Sequence, residues 1–195
     1  MENVEHAAEQ FLAQIPSYVW DGATLPVPIE DIADTYAGLL VHDVDDLGTA
    51  PGAPKPGHGQ AFSGLLLPAR GEIWVNAEEA RQWPARRRFT IAHELGHWRL
   101  HRNTDRAVFC RSGSIEPEAL QRRTPIPPAE DEANVFAAAV LMPAQLVQKH
   151  YVLCDRNFLR LCEAFGASGA AMGRRLHSVI KRTSDTRGTD QRPLQ

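Results

Sequence analysis

His93, Glu94 and His97 stand in the order His-Glu-x-x-His within Arg88-Phe89-Thr90-Ile91-Ala92-His93-Glu94-Leu95-Gly96-His97. On a helix, positions four apart share one face, so both imidazoles can reach a single metal ion. Glu94 follows the first histidine, where its carboxylate can take the proton of an attacking water. Two imidazoles to hold Zn²⁺ and one carboxylate as base are what hydrolysis of a peptide bond by a metal site requires. The five-residue pattern also arises by chance, so the surroundings matter. Phe89, Ile91, Ala92, Leu95, Trp98 and Leu100 place apolar residues all around, and no proline interrupts between Ala85 and Pro117. That composition predicts a buried helix over about residues 86–101. Gly96 is a poor helix former between the two histidines, which implies that another segment packs closely there.

A catalytic zinc takes three protein ligands and leaves one position open. A candidate third ligand lies in Glu130-Asp131-Glu132-Ala133-Asn134, which opens a helix predicted over 129–141. Acids at a helix amino terminus are also explained by the helix dipole. The next stretch, Val135 to Leu141, is almost wholly apolar, so the first turn of this helix must lie against the core. Glu130 and Asn134 share a face: one could ligate the metal while the other holds a ligand histidine in place. His101, one turn beyond His97, reads as a supporting histidine or a substrate contact.

The elements that must position these residues follow from pattern and punctuation. Residues 3–15 read as an amphipathic helix ended by Pro16, and Ile29 to Tyr36 as a second helix stopped by Gly38. Leu39 to His42 is a short strand. Asp43 to Gln60, rich in Gly, Pro and Asp, reads as a mobile loop, with His58 a loop histidine. Ala61–Leu67 and Glu72–Val75, joined by Pro68-Ala69-Arg70-Gly71, predict a hairpin. Its second strand, Glu72–Asn76, is a candidate edge for an extended substrate. Asn76 is placed to cap a helix over 77–82, and Pro84 separates that helix from the histidine helix. Residues 103–128 read as one long loop, of the kind that forms a lid or binding element. After Pro143 three short helices are expected, the last two over 157–165 and 169–181. The polar residues 183–195 are expected to be a disordered tail.

The chain's 195 residues suffice for one domain with a real core, and 43% hydrophobic content is ordinary for a folded protein. It has no apolar run long enough to span a membrane and no signal-peptide pattern at its start. Cys110, Cys154 and Cys162 have unpatterned spacing, which fits reduced thiols and a cytoplasmic location. Charge is unevenly spread. Residues 1–60 carry ten acids and one base, whereas residues 81–111 carry eight arginines against two acids. Either the basic middle meets an acidic or extended partner, or the acidic first third packs against it.

The two motifs together resemble the ImmA/IrrE-type metallopeptidases. The resemblance rests on Arg88 to His97 with Leu100-His101, and on Glu130-x-x-Ala133-Asn134-x-Phe136-Ala137 closing with Leu141-Met142-Pro143. Phe62-Ser63-Gly64 and Trp74-Val75-Asn76 are similar too, so roughly residues 25–145 are covered. It implies an α+β, mostly helical fold: a zincin-like core with a small sheet, and a C-terminal helix-turn-helix-like subdomain. The corresponding division is 1–145 for the peptidase domain, 146–182 for the helical subdomain and 183–195 for the tail. It implies His93, His97 and Glu130 as metal ligands, with Glu132 the alternative third ligand, and Glu94 as the catalytic base. Zn²⁺ is the expected ion, although Mn²⁺ or Fe²⁺ suits the same donors. The implied partner is a protein substrate, a helix-turn-helix repressor or antitoxin whose cleavage relieves repression. Two other readings remain: a metal-bound protein that captures its partner uncut, and a DNA-binding regulator. Arg174 and Arg175 could meet DNA phosphates, but that helix lacks a base-reading Asn or Gln, which disfavours direct DNA binding.

Overall fold

The computed structural model describes residues 2–53, 60–102, 109–114 and 126–188. Helix α1 (Glu2–Ala13) buries Val4, Ala8 and Phe11, at helical spacing, with Ile15 just beyond its end. Helix α2 (Ile29–Asp31) runs into a π-helical turn over Ile32–Tyr36, and Ile29, Ile32 and Ala33 are buried. Gly38 ends this segment at φ +69°, a conformation that costs glycine little.

Strands β1 (Leu40–Val44), β2 (Gln60–Leu67), β3 (Glu72–Asn76) and β4 (Phe109–Ser114) form one sheet in the order β1-β3-β2-β4. β2 and β3 make the expected antiparallel hairpin. β3 is not an edge, however: β1 pairs with it in parallel, Val41 opposite Ile73. Among the described residues the edges are β1 and β4. Pairing between β1 and β3 joins segments some 30 residues apart, and no local pattern announces it. The long-loop reading of 103–128 is likewise corrected in part, because residues 109–114 form β4 antiparallel to β2. The register of that pair shifts between Phe62 and Gly64, leaving Ser63 as a bulge.

Both faces of the sheet are covered. Leu66, Ile73 and Val75 join the main core, while Leu65 and Leu67 form a second cluster with Leu47 and Ala50. That double burial accounts for the unbroken apolar run Leu65-Leu66-Leu67. It also corrects the loop reading of 43–60, since the 3₁₀ turn Leu47–Thr49 is tied down by Asp46, whose side chain accepts from the Gly48 amide. His58 lies outside the described residues.

Asn76 accepts from the Glu79 amide at 2.9 Å and caps α3 (Ala77–Gln82). Helix α4 (Pro84–His101) begins on its proline, which suits a first helical position. Residues 90–97 of α4 are all buried, between the sheet on one side and α5 (Pro128–Leu141) on the other. α1 covers α5. Arg87 of α4 bridges Glu30 at 2.6 Å and Asp43 at 2.9 Å, and Arg81 lies 3.7 Å from Asp45. Among the described residues, then, the acidic first third does pack against part of the basic middle.

Helices α6 (Ala144–Leu153), α7 (Phe158–Phe165) and α8 (Gly169–Gly188) follow. Asn157 caps the start of α7, and Gly166 ends it at φ +57°. α8 continues six residues beyond the expected start of the tail; a helix once nucleated extends at little cost. Residues 189–195 lie outside the described residues. Leu161, Cys162, Phe165 and Met172 belong to the same core cluster as the residues of α1, α4 and α5. No described helix is long and apolar enough to cross a membrane.

Arg175 is not a surface arginine. It is 4% exposed, pairs with Glu5 at 2.6 Å and donates through Nε to the Met142 carbonyl at 2.8 Å. It therefore joins α8, α1 and the end of α5, and is withdrawn from any contact with DNA. Breaking a buried pair from one side leaves an uncompensated charge. Glu5→Ala should lower unfolding free energy by about 3–5 kcal/mol. In urea denaturation, a loss under about 1 kcal/mol would contradict this role.

Candidate metal centre

The α4 and α5 helices cross at the site, and small residues set the separation. A β-carbon at Gly96 would lie 3.2 Å from both the Cα and the carbonyl oxygen of Ala133. Gly96 and Ala133 are thus each small because the two backbones touch there, which is the close packing that the glycine implied. The crossing brings the first turn of α5 over the histidine pair.

His93 and His97 are 1% and 0% exposed. Their Nε2 atoms are 3.1 Å apart, and Glu130 places Oε2 3.2 Å from the first and Oε1 3.3 Å from the second. Among the described residues these three form a group that could hold a metal ion. Ligand atoms at about 2.0–2.1 Å from a tetrahedral zinc stand about 3.3 Å from one another, so the separations fit that ion. The chemistry of the donor set agrees: two imidazole nitrogens and a carboxylate oxygen facing a common point are the donors that zinc takes in a catalytic site.

The hydrogen bonds behind the two rings fix their tautomers. His93 Nδ1 donates to the side-chain oxygen of Asn134 at 3.1 Å, which leaves Nε2 with its lone pair. Behind His97 is a chain of two bonds. His101 Nε2 donates to Glu132 Oε2 at 2.8 Å, so His101 Nδ1 accepts from His97 Nδ1 at 3.2 Å, and His97 Nε2 faces the metal position. Glu132 therefore stands on the far side of His101, away from the triad. Both ring nitrogens of His101 are occupied in this chain. The equal sequence spacing of His93, His97 and His101 signalled one shared helix face; the part played by Glu132 had no such signal.

Glu130→Ala is expected to abolish tight zinc binding. Glu132→Ala should keep one ion per chain with affinity lowered about 10–100-fold, as for other residues that orient a metal ligand. Competition against a chromophoric chelator separates the two; equal losses would contradict these assignments.

Glu94 is 0% exposed and lies under β2. A β-carbon at Gly64 would overlap Thr90 Cγ2 and come within 3.4 Å of Glu94 Oε1. Gly64 is needed because the strand runs directly over the helix at the carboxylate. Next to it, the bulged Ser63 accepts from Arg86 at 2.9 Å. Neither contact was anticipated from sequence, although a Ser-Gly pair inside an apolar strand is the local mark of a bulge or close approach.

A helix bearing two histidines and a glutamate, a carboxylate from a neighbouring helix and a small sheet alongside define a zincin-like metallopeptidase core in an α+β, mostly helical fold. The model of the IrrE N-terminal-like domain, a peptidase family, matches residues 47–177, and the chain belongs to that family. A comparison with curated proteins finds no match. Among solved structures, a Mycobacterium tuberculosis transcriptional regulator is similar, with a TM-score of 0.50 and 17% identity. The match covers 90% of this chain and 47% of that one, so the chain spans about half the length of that protein. At this identity the likeness is one of fold.

Proposed function

We propose that this protein is a zinc-dependent endopeptidase that cuts a partner protein, a helix-turn-helix repressor or antitoxin, and so relieves repression. The observation that carries the reading is the position of Glu130, whose carboxylate oxygens lie 3.2 and 3.3 Å from the Nε2 atoms of two buried histidines, with Glu94 between those histidines in the chain. His93, His97 and Glu130 would hold the ion, which when bound supplies Lewis acidity to a water and to the scissile carbonyl. Glu94 accepts the proton as water attacks and delivers it to the leaving amine. Asn134, and the pair of His101 and Glu132, keep the two imidazoles in the tautomer that leaves Nε2 free for the metal. Substrate backbone would pair along the edge strand β4, which lies beside β2 and against α4.

Capture of the partner without cutting is the second reading. Direct DNA binding is weakened by the burial of Arg175. We place the peptidase machinery in residues 1–145 and assign residues 146–182 a packing role against it. The test mixes purified protein, zinc and a helix-turn-helix repressor of the same source, taken first from any neighbouring gene, and reads products by mass. Two fragments that vanish with a chelator are expected. An intact partner that is nevertheless bound would favour capture.

A further inference from the structure

A second concave site lies at the opposite end of the two helices that carry the metal ligands. It is a cavity of about 520 Å³, within the range of small-molecule sites. Leu141, Met142 and Phe165 are buried residues at its floor, and Phe89, Ala167 and Ala171 form half-buried walls. Trp83, 52% exposed, stands at the mouth. None of His93, Glu94, His97 or Glu130 lines it. Arg86 is seven residues before His93, about 10 Å along the helix axis.

The charge at this cavity has one sign. Its charged lining residues are Arg86 and Arg174, and no carboxylate lines it. Arg86 is held in place by Glu79 at 2.9 Å and by Ser63, which fixes its guanidinium and offsets part of its charge. Arg174 is exposed and takes part in no ion pair among the described residues, in contrast to its buried neighbour Arg175. The first turn of α4 and the start of α8, where Ser168 Oγ accepts from the Ala171 amide, also face the cavity and add the positive ends of two helices. The apolar interior favours a hydrocarbon or aromatic body, and the arginine at its rim an anionic head.

We propose that this cavity binds a small organic anion with an apolar body, such as a medium-chain carboxylate, at a site separate from the metal centre. The proposal does not depend on peptide cleavage. Trp83 provides the readout: ω-bromodecanoate, whose bromine quenches indole fluorescence on contact, is titrated into the full zinc-loaded chain. Saturable quenching at one probe per chain is expected. Trp83→Phe should remove that quenching, because Trp20, Trp74 and Trp98 do not line the cavity. Arg174→Glu, a surface change, should weaken binding roughly tenfold, and the neutral ω-bromodecanol should bind more weakly than the acid by a similar factor. Ala171→Phe should block entry, seen as loss of the heat of decanoate binding in calorimetry. Quenching that survives Trp83→Phe, equal binding of acid and alcohol, or failure to saturate would overturn the proposal and leave the cavity to a protein side chain.

Discussion

Glu94→Gln is expected to lower hydrolysis of the partner by roughly a hundred- to ten-thousand-fold while the protein keeps its metal. Glutamine has the same shape but cannot accept a proton from water. The size of the effect is that of one positioned general base, about 3–5 kcal/mol of transition-state stabilisation. Because Glu94 is completely buried, its charge carries a desolvation cost that the amide does not. Folding stability should therefore be unchanged or slightly higher, which separates a catalytic loss from a folding loss. Three readouts settle the matter: fragments by mass, metal by elemental analysis and midpoint by thermal melting. Partner relief that is equal in wild type and Glu94→Gln would establish capture as the function. A variant that lost zinc would show that Glu94 holds the site together and would remove the general-base assignment.

Gly96→Val is expected to damage the metal centre without touching a ligand. Two effects oppose each other. Leaving glycine in mid-helix gains up to about 1 kcal/mol of helix propensity, less for a β-branched residue. Against that, a β-carbon here already meets Ala133 backbone at 3.2 Å and Phe136 at 3.3 Å, and the added methyl groups reach further. The obstacle is helix backbone, which cannot rotate aside as a side chain can. Overpacking typically costs about 1–3 kcal/mol, so the clash wins. The strain falls three residues from Glu130, and moving α5 outward draws its carboxylate away from both imidazoles. Zinc affinity should fall by at least about tenfold and the midpoint of unfolding should drop. Gly96→Ala should show the same direction with a smaller loss. If Gly96→Val binds zinc as tightly as wild type, the contact of α4 and α5 does not set the metal geometry.

The fold and the site divide between what local pattern carries and what only packing decides. Within single elements the sequence carried most of the reading. Helical spacing placed His93, Glu94 and His97 on one buried turn, Asn76 marked a helix start and Gly38 an end, because these features depend on backbone geometry within a few residues. The glycine between the two histidines even announced a close neighbour, though not which one. Wherever two distant segments meet, pattern was silent. β3 looked like an edge until β1 paired alongside it in parallel, and β4 was hidden in what read as a long loop. Side-chain partners were decided in the same way. Glu130 and Glu132 are both acids in one helical turn, and Arg174 and Arg175 are adjacent arginines. Composition cannot rank either pair. A helix turns about 100° per residue, so neighbouring positions face different surroundings, and the packing of α5 and α8 chose between them. Glu130 came to lie against two imidazoles and Glu132 against His101, while Arg175 was buried on Glu5 and Arg174 left at the rim of a cavity. Residue types and spacing determined the chemistry available to this chain. The crossing of two helices and the stacking of a sheet, which bring together residues far apart in sequence, determined which atoms face one another.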